Sequence, residues 1–441
     1  MRRFFAELRR YPSAIGGLVI IGLLVAMSVF AVIAIPYNEA IRLWRGGEEQ
    51  WLENPRLARP AWMALLPGTN LTRNIAVDSR GVQRQEVDHG GGIREVTATL
   101  SFDYRYRAFP TELTVFFEPT YQNLPPSVTL FWRAPDGTDI PLGTRAVRTR
   151  DIFRISGDAR LQAELGVTRP ERVLFGDPRV PDRVLPGQHQ LVIQAILFEP
   201  DAQLEARLIV YGSAHGIAGT DHQRRDIALA LLWGTPIALA FGLLAAVGST
   251  LSTLIIAAIG VWYGRWVDGL IQRITEVNLI LPFLPILIMV GTLYSRSIWV
   301  ILGVVILLGM FSGAIKTHRA LFLQVKEAPY IEAARAYGAT GLRVVFSYMI
   351  PRAVPVLIPQ LVTLIPAFVF LEASLAFLGL GDPVLPTWGK IIDDAQRAGA
   401  LFTGHHYWVL QPAFLLLLTG LGFTMLGFAL DRVFNPRLRE Q

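Results

Sequence analysis

The chain has 441 residues, of which 52% are hydrophobic and 17% are charged, and its mean hydropathy is +0.40. Soluble domains carry about 25% charged residues, so this composition excludes a disordered chain, a coiled coil or a collagen and indicates a membrane protein. The absence of cysteine excludes disulfides, thiolate metal ligands and a cysteine nucleophile. The net charge of +6 rests mainly on scattered arginines, with Lys316, Lys326 and Lys390 as the only lysines. A nucleic-acid partner is not expected, because its groove needs clustered basic and aromatic residues.

Six apolar segments approach the length of a membrane-spanning helix, about 20 residues. The first is longer than the apolar core of about 7–15 residues in a cleaved signal peptide, so we expect a retained helix. Prolines interrupt some later segments, which neighbouring helices tolerate in a bundle. We therefore predict a polytopic α-helical membrane protein with about six transmembrane helices, at residues 13–36, 235–263, 277–293, 298–315, 353–380 and 409–430.

Basic residues predict the orientation, since arginine and lysine concentrate on the cytoplasmic side. They precede the first segment (Arg2, Arg3, Arg9 and Arg10), occupy the loop 316–352 and follow the last segment, whereas the short turn after residue 293 carries only Arg296. We predict a protein of the cytoplasmic (inner) membrane with both termini cytoplasmic. The expected domains are residues 1–36 with the first helix, an extracytoplasmic insert at 37–219, and a membrane core at 220–441.

The insert 37–219 changes to the period-two pattern of β-strands. Residues 96–106 alternate apolar and polar, as a half-buried strand does. Asp136-Gly137 and Pro200-Asp201 are typical of hairpin turns, and the whole pattern predicts a β-sandwich. Residues 44–66 are expected to be irregular or helical and to lie along the membrane interface. Because His89, His189 and His215 are isolated, recognition or docking is favoured over catalysis. Further strands are predicted at residues 112–118, 127–133, 151–155, 190–198 and 205–211.

A polar loop at residues 326–341 separates the fourth and fifth apolar segments. Pro329 can start a helix there and Gly338 can stop it, and Glu332 can pair with Arg335 at i, i+3. The i, i+3, i+4, i+7 spacing places on one face Tyr330, Ala333, Ala334 and Tyr337. A short helix with small alanines and two tyrosines suits insertion into a groove on another protein. An ordinary amphipathic surface helix fits the same residues.

Four segments carry a family resemblance. Glu332-Ala333-Ala334, then Gly338, then Ile350-Pro351 resembles the EAA loop in membrane subunits of binding-protein-dependent ABC importers. Three other segments resemble the dipeptide, oligopeptide and nickel permeases of that family, in the same order along the chain. These are residues 219–226, residues 371–381 with 386–389, and residues 431–439. The resemblance covers 219–441 well and 1–36 loosely, and it leaves the insert uncovered.

Two positions depart from the family pattern. Arg224 stands where the family usually has glycine, so the local turn is expected to differ. Tyr348 stands where the EAA pattern has isoleucine, a change that keeps an apolar face. The long insert is the larger departure, and it leaves open how a binding protein docks.

The resemblance implies the type I ABC importer permease fold and no catalysis in this chain. Its only Gly-Lys, Gly389-Lys390, is followed by Ile391 and makes no phosphate-binding loop, so ATP and Mg²⁺ are expected in partner subunits and no cofactor here. The expected partners are two ATP-binding cassette ATPases, a second related permease in a heterodimer, an extracytoplasmic substrate-binding protein and membrane lipid. Di- or oligopeptides are the expected cargo, with nickel chelates or oligosaccharides as alternatives. The implied ATPase-coupling residues are Tyr330, Glu332, Ala333, Ala334, Arg335, Gly338 and Pro351.

Glu372 is a carboxylate within an apolar segment, which makes it a candidate for the substrate path. Its position along the segment places it near the outer interface, where a structural role is also possible at little cost. The loop after Glu372 contains two pairs of neighbouring residues, Asp393-Asp394 and His405-His406. Neighbouring residues do not share a helix face, so no metal site is expected. Two rival functions are a membrane receptor with an external sensor domain and a membrane-embedded enzyme, for which paired catalytic groups are not evident.

Overall fold

The computed structural model describes residues 11–82 and 84–434, without the side chain of Pro181. The N-terminal arginines and the motif at 435–439 lie outside these described residues. The chain divides into two compact units, residues 1–46 with 229–441, and residues 47–228. The second unit begins at Gly47 and ends at Ala228, so its bounds differ from the 37–219 predicted for the insert, and residues 37–46 fall in the first unit.

Fifteen α-helices occur in the described residues. They are α1 (Pro12–Ala34), α2 (Tyr37–Arg45), α3 (Gly47–Gln50), α4 (Ala159–Leu165), α5 (Pro170–Phe175), α6 (Ile227–Tyr263), α7 (Arg265–Ile280), α8 (Phe283–Leu293), α9 (Ile298–Gly309), α10 (Ala314–Lys326), α11 (Pro329–Ala336), α12 (Gly341–Val344), α13 (Ile350–Leu375), α14 (Trp388–Arg397) and α15 (Tyr407–Phe434). Short 3₁₀ turns lie at Ala61–Leu65, Ser79–Gly81 and Ile155–Gly157.

Four of the described helices are long and apolar enough to cross a membrane. They are α1, α6, the helix Gly341–Leu380, which is kinked at Gly379 near its end, and α15. Two further pairs pass the same test together, α7 with α8, bent by 76°, and α9 with α10, bent by 49°. The number of spans is therefore four, or up to six if each bent pair is one span. The predicted six spans are present only if each bent pair is counted as one span.

The apolar segment predicted at residues 277–293 is interrupted in the described structure. Helix α7 ends at Ile280 and α8 begins at Phe283. Pro282 lacks an N–H and disfavours helical geometry in the preceding residue, and Leu281 is indeed extended, with φ −65° and ψ 131°. The segment 298–315 is also interrupted, because α9 ends at Gly309 and α10 begins at Ala314.

The fifth apolar segment extends further toward its N-terminus than predicted. Instead of 353–380, the helix runs from Gly341 to Leu380. Two π-helical turns, Val345–Met349 and Ala376–Leu380, flank α13. A π turn inserts an extra residue into the helix. The helix begins at Gly341, within residues 316–352, which the sequence assigned to the cytoplasmic loop.

The second unit contains the expected β-rich domain, as a sandwich of two antiparallel sheets. The first sheet has the order β1-β11-β4-β7 and the second β2-β3-β10-β5-β6, with a small β8-β9 ribbon beside them. The strands are β1 (Ile75–Asp78), β2 (Arg84–Gly90), β3 (Ile93–Tyr104), β4 (Glu112–Thr120), β5 (Ser127–Arg133), β6 (Asp139–Ala146), β7 (Asp151–Arg154), β8 (Gly176–Asp177), β9 (Val180–Val184), β10 (Gly187–Leu197) and β11 (Gln203–Tyr211). One apolar core joins both sheets, with Leu100, Leu130, Trp132, Leu113 and Leu208 fully buried.

All six predicted strands are strands, and the Asp136-Gly137 turn joins β5 to its neighbour β6. The hairpin predicted at Pro200-Asp201 is wrong. It connects β10 to β11, which belong to different sheets, because the inward residues of both strands face the shared core from opposite sides. The segment 44–66 is irregular and partly helical, as expected.

The chain enters and leaves the second unit along one backbone pairing. The Leu57 N–H donates to the Asp221 carbonyl at 3.1 Å, and the Thr220 N–H donates to the Ala58 carbonyl at 2.9 Å. The Thr220 hydroxyl donates to the Pro55 carbonyl at 2.7 Å. Both ends of the sandwich are thus held side by side.

Candidate functional site

Helix α11 is a short helix whose inner edge is fixed and whose outer edge is free. Ile331 is 1% exposed and Ala334 is 5% exposed, and both face inward; Ile331 belongs to a core with residues of α6, α10 and α13. Glu332 and Ala333 are exposed, and Tyr337 is 93% exposed. The predicted face of Tyr330, Ala333, Ala334 and Tyr337 is therefore wrong for Ala334. Ala334 packs on the core together with Ile331, three residues before it, whereas the other three side chains are exposed.

The expected ion pair between Glu332 and Arg335 is not formed in the described structure. The Arg335 guanidinium lies instead over the Trp262 ring, 5.8 Å from its centroid. This leaves the Glu332 carboxylate exposed and available to another molecule. Arg335 and Trp262 together link α11 to the end of α6, while Glu332 and Tyr337 stay exposed.

Further contacts beneath the loop escape sequence reasoning. The Lys326 ammonium donates to the Val261 carbonyl at 2.8 Å. The Arg319 guanidinium makes a two-pronged contact with Asp268, with bonds of 2.8 Å and 2.6 Å. These partners lie far apart in sequence and belong to no motif, so no spacing signals them. They connect α10 to α6 and α7 and stiffen the platform on which α11 sits.

The ends of α11 match the sequence prediction. Pro329 is in its first turn, and Gly338 follows its end with φ +79°, a left-handed conformation that favours glycine. The Gly338 N–H donates to the Arg335 carbonyl at 2.9 Å, and the Ala339 N–H to the Ala334 carbonyl at 3.0 Å. Pro351 lies further on, in the first turn of α13, just after a π turn.

Glu372 lies in α13 and is 6% exposed. The fully buried Thr387 provides its hydroxyl neighbour. Glu372 also lines a small pocket with Arg296 and Asp382. Asp382 accepts a hydrogen bond from the Ile298 N–H at 3.0 Å. Glu372 thus belongs to a polar group that joins α13 to the segments before α9 and α14, an arrangement that suits a structural role.

The acidic pair in α14 is occupied by ion pairs. Asp393 accepts from Lys390 at 3.2 Å and from Arg397 at 2.7 Å, and Asp394 accepts from Lys390 at 2.6 Å. His405 contacts Thr403 at 2.8 Å. Among the described residues no group of three or more His, Asp or Glu side chains is arranged to hold a metal ion.

Arg224, the position where the resembling family has glycine, has φ +63°. That value explains why glycine suits the position, since a side chain is strained in a left-handed conformation. Its guanidinium is buried and contacts the carboxylates of Glu48 and Glu112, and it lies 4.8 Å from the Tyr211 ring centroid. The ion pairs therefore hold the strained turn within the sandwich unit.

Comparison with known proteins agrees with this architecture. The family model described as "Binding-protein-dependent transport system inner membrane component" matches residues 248–440. The "Dipeptide transport system permease protein DppC" of Bacillus subtilis is 30% identical over 223 residues, which are 50% of this chain and 69% of that protein. The "Probable peptide ABC transporter permease protein y4tQ" of Sinorhizobium fredii is 30% identical over 294 residues, 65% of this chain and 98% of that protein.

The chain belongs to the family of inner-membrane components of binding-protein-dependent transport systems. It is an inner-membrane permease of an ABC importer, as its motifs indicated. The family match includes α11 and Glu372, whereas the β-sandwich lies before residue 248. About a third of this chain falls outside its match with the Sinorhizobium protein, which covers 65% of it.

Proposed function

We propose that this chain conducts di- or oligopeptides into the cell as one permease subunit of an importer. The matched relatives include a dipeptide permease and a peptide permease. The "Oligopeptide transport system permease protein OppC" of Bacillus subtilis is 28% identical over 223 residues. These names support peptides over the nickel chelates and oligosaccharides that the sequence left open.

The proposed topology takes each bent helix pair as one span, which gives six spans. An even number places both termini on one side of the membrane, and the basic flanks favour the cytoplasm. The loop that contains α11 follows the fourth span and is then cytoplasmic. The sandwich follows the first span and is then extracytoplasmic, on the side where a substrate-binding protein delivers its ligand.

The proposed coupling element is α11, which we expect to dock into a cleft on a separate ATPase subunit. The observation that carries this proposal is a short helix with an exposed Glu332 and Tyr337, fixed from below by Ile331 and Ala334. A helix held this way transmits movement as a rigid body. ATP-driven closure of two ATPases then moves α11 and switches the spans of this chain and of a second permease between two states.

The test compares two exposed glutamates of the same loop in the complex of this chain, its partner permease, the ATPases and a binding protein. Glu332→Ala is expected to lower binding-protein-stimulated ATPase activity and dipeptide uptake about tenfold or more, because a lost charged hydrogen bond costs about 1.5–3 kcal/mol. Glu327→Ala, also exposed but before α11, is the matched control and is expected to leave both unchanged. Equal activities for the two variants would refute the coupling role.

Cargo is tested in proteoliposomes that contain the same complex. Labelled dialanine is expected to accumulate with ATP, and an excess of unlabelled tripeptide is expected to compete. Competition by a maltooligosaccharide or a nickel chelate instead would reassign the substrate. A complex with no associated ATPase and no uptake would favour the receptor alternative, with the sandwich as its sensor.

A further inference from the structure

Both breaks in the bent helix pairs face one cavity, of about 390 Å³. Leu281 and Phe283 line it from the α7–α8 break, and Gly309 and Ser312 line it from the α9–α10 break. Backbone that leaves the helix at membrane depth is tolerated where it is buried in protein or lines a water-filled space. The breaks and the cavity are therefore parts of one feature.

The backbone at the second break is satisfied by a side chain from the first pair. The Asn278 amide, at the end of α7, donates to the Leu308 carbonyl at 3.0 Å and to the Phe311 carbonyl at 3.2 Å. Asn278 also lines the cavity. The bend is thus stabilised by a specific polar contact, which makes the cavity a built feature rather than a packing fault.

Among the described residues, three buried side chains on the cavity wall have a polar atom with no hydrogen-bond partner. They are Ser249 and Thr250 of α6, through their hydroxyls, and His318 of α10. His318 is 1% exposed, and the neighbouring Thr253 backbone can pair with only one of its ring nitrogens, so at least one nitrogen has no partner. An unpaired buried polar group costs about 1–3 kcal/mol, so the site is incomplete without a polar occupant.

Other hydroxyls in the membrane helices do not behave in this way. Thr235, also in α6, donates to the Leu231 carbonyl one turn back at 3.0 Å. Thr419 in α15 donates to the Leu415 carbonyl at 2.8 Å. This local bonding is the usual way for a helical hydroxyl to be satisfied. The unpaired hydroxyls of Ser249 and Thr250 are therefore special to the cavity.

We propose that this cavity is a binding site on the transport path that holds the main-chain amides of a peptide. Its polar side chains include those of Ser249, Thr250, Asn278, Ser312, His318 and Gln360, and none of the described residues that line it carries a formal charge at neutral pH unless the histidine is protonated. Hydroxyl, imidazole and amide groups both donate and accept, which matches the N–H and C=O of any peptide without regard to its side chains. The volume lies in the range of about 300–1,000 Å³ typical of small-molecule sites.

This inference rests on the proposed function, and the absence of native cysteine gives it a direct test. Thr250→Cys replaces the hydroxyl and methyl of threonine by a thiol, and Thr419→Cys, the same change at a residue that is also buried but lies away from the cavity, is the control. Both are placed in the reconstituted complex and treated with a small water-soluble thiol reagent. Labelling of this chain is followed by mass spectrometry, with ATP and a binding protein that is empty or loaded with dialanine.

We expect the thiol at position 250 to react at least about tenfold faster than that at 419, and loaded binding protein to slow its reaction about fivefold or more. Equal slow labelling at both positions, from a dry gap or from cover by the partner permease, would overturn the inference. So would fast labelling that dialanine leaves unchanged in a complex that takes up dialanine. If the wild-type complex takes up no peptide, both the proposed function and the peptide assignment of the cavity are overturned. Uptake by the wild-type complex therefore distinguishes this failure from a failure of the cavity assignment alone.

Isosteric removal of the hydroxyls supplies a second measurement. Thr250→Val is expected to reduce dialanine uptake about fivefold or more at unchanged amounts of assembled complex, whereas Thr235→Val, in the same helix, leaves it within twofold. The reverse order of effects would contradict a role for the cavity in transport.

Discussion

At the scale of single residues, Arg224 illustrates how one side chain replaces the conformational freedom of glycine. Its left-handed backbone, with φ +63°, is disfavoured by about 1–2 kcal/mol for a residue with a side chain. The guanidinium offsets this cost through Glu48, Glu112 and the Asn54 carbonyl, the last at 2.8 Å. The position thus joins three separate segments of the sandwich unit.

Two substitutions at Arg224 separate these effects. Arg224→Ala is expected to destabilise the sandwich by about 2–4 kcal/mol, somewhat below the cost of breaking a fully buried pair, because both carboxylates are about one-third exposed. Arg224→Gly loses the same contacts but relaxes the backbone, so it should be about 1 kcal/mol more stable than Arg224→Ala. Hydrogen exchange of the sandwich amides in the full chain measures both. Equal stabilities for the two variants would contradict the backbone strain.

His189 predicts a dependence of the sandwich on pH. Burial lowers the pKa of its imidazole, against the opposing hydrogen bond to the Leu185 carbonyl, and the ring is stacked on Phe175 with centroids 4.5 Å apart. The folded state therefore binds this proton less readily than the unfolded chain does. Stability from this residue is fully present above the unfolded pKa of about 6.5 and is lost as the pH falls below it.

The matched variants are His189→Phe, which keeps an aromatic ring in the cluster, and His89→Gln, at an exposed histidine. Hydrogen-exchange protection of the sandwich, corrected for intrinsic rates, should fall below pH 6.5 in the wild type and in His89→Gln. His189→Phe should reduce that fall and leave only the part from His215, whose pKa burial also lowers. Glu171 and Asp226, whose pKa values burial raises, act with the opposite sign in all three proteins and cancel in the comparison. An undiminished fall in His189→Phe would assign the effect to other groups.

At the scale of elements, the sequence predicts a strand or helix where the period of its apolar residues matches the face that the element buries. Strands such as β3 and β10 alternate between core and surface, so their period-two pattern locates them. The 3₁₀ turns and the ribbon β8-β9 carry no such period and were missed. The sequence pattern also does not indicate strands β1, β2 and β6; all three lie at sheet edges, where only one side of the backbone pairs.

The prediction of the membrane helices is incomplete for a different reason. Hydropathy detects apolar length but not the direction of the chain, so the break at Pro282 was included in one span. The cavity behind it depends on Ser249, Asn278 and His318, which come together only in the fold. The ends of α11 were predictable because Pro329 and Gly338 act locally, whereas its inward face depends on a core assembled from distant helices.

Gly338 allows a prediction at this scale. A β-carbon there meets no atom within 4 Å, so the only penalty for alanine is the φ of +79°, about 1–2 kcal/mol. Gly338→Ala is expected to displace the end of α11 and lower stimulated ATPase activity severalfold. Gly338→Asn is expected to be milder, because asparagine tolerates this conformation better.

Gly303→Ala is the control for that series. Gly303 lies within α9, and a β-carbon there also meets nothing within 4 Å. Alanine is favoured over glycine in a helix by about 1 kcal/mol, so this change should leave coupling intact. Activity equal to wild type in Gly338→Ala would show that the turn after α11 is not required for coupling.

At the scale of the whole molecule, the chain combines a family core with a domain of separate construction. The family model matches residues 248–440, and the sandwich lies before them. The sandwich has its own core between two sheets, and its entering and leaving segments pair with each other through Leu57 and Asp221. An insert whose two ends meet can be added to a loop without separating the helices on either side of it.

This construction predicts that residues 47–228 fold without the membrane helices. The excised domain is expected to be a monomer with a cooperative thermal transition and a β-type circular dichroism spectrum, studied in mild detergent because Trp62, Leu65 and Ile217 are exposed. A shorter piece, residues 60–228, lacks the partners of Asp221 and Thr220 and the carboxylate of Glu48. It should be less stable by about 3 kcal/mol or more, at roughly 1 kcal/mol for each lost hydrogen bond. Equal stability of the two pieces would mean that the paired ends contribute nothing, and an unfolded longer piece would mean that the sandwich depends on the membrane unit for its fold.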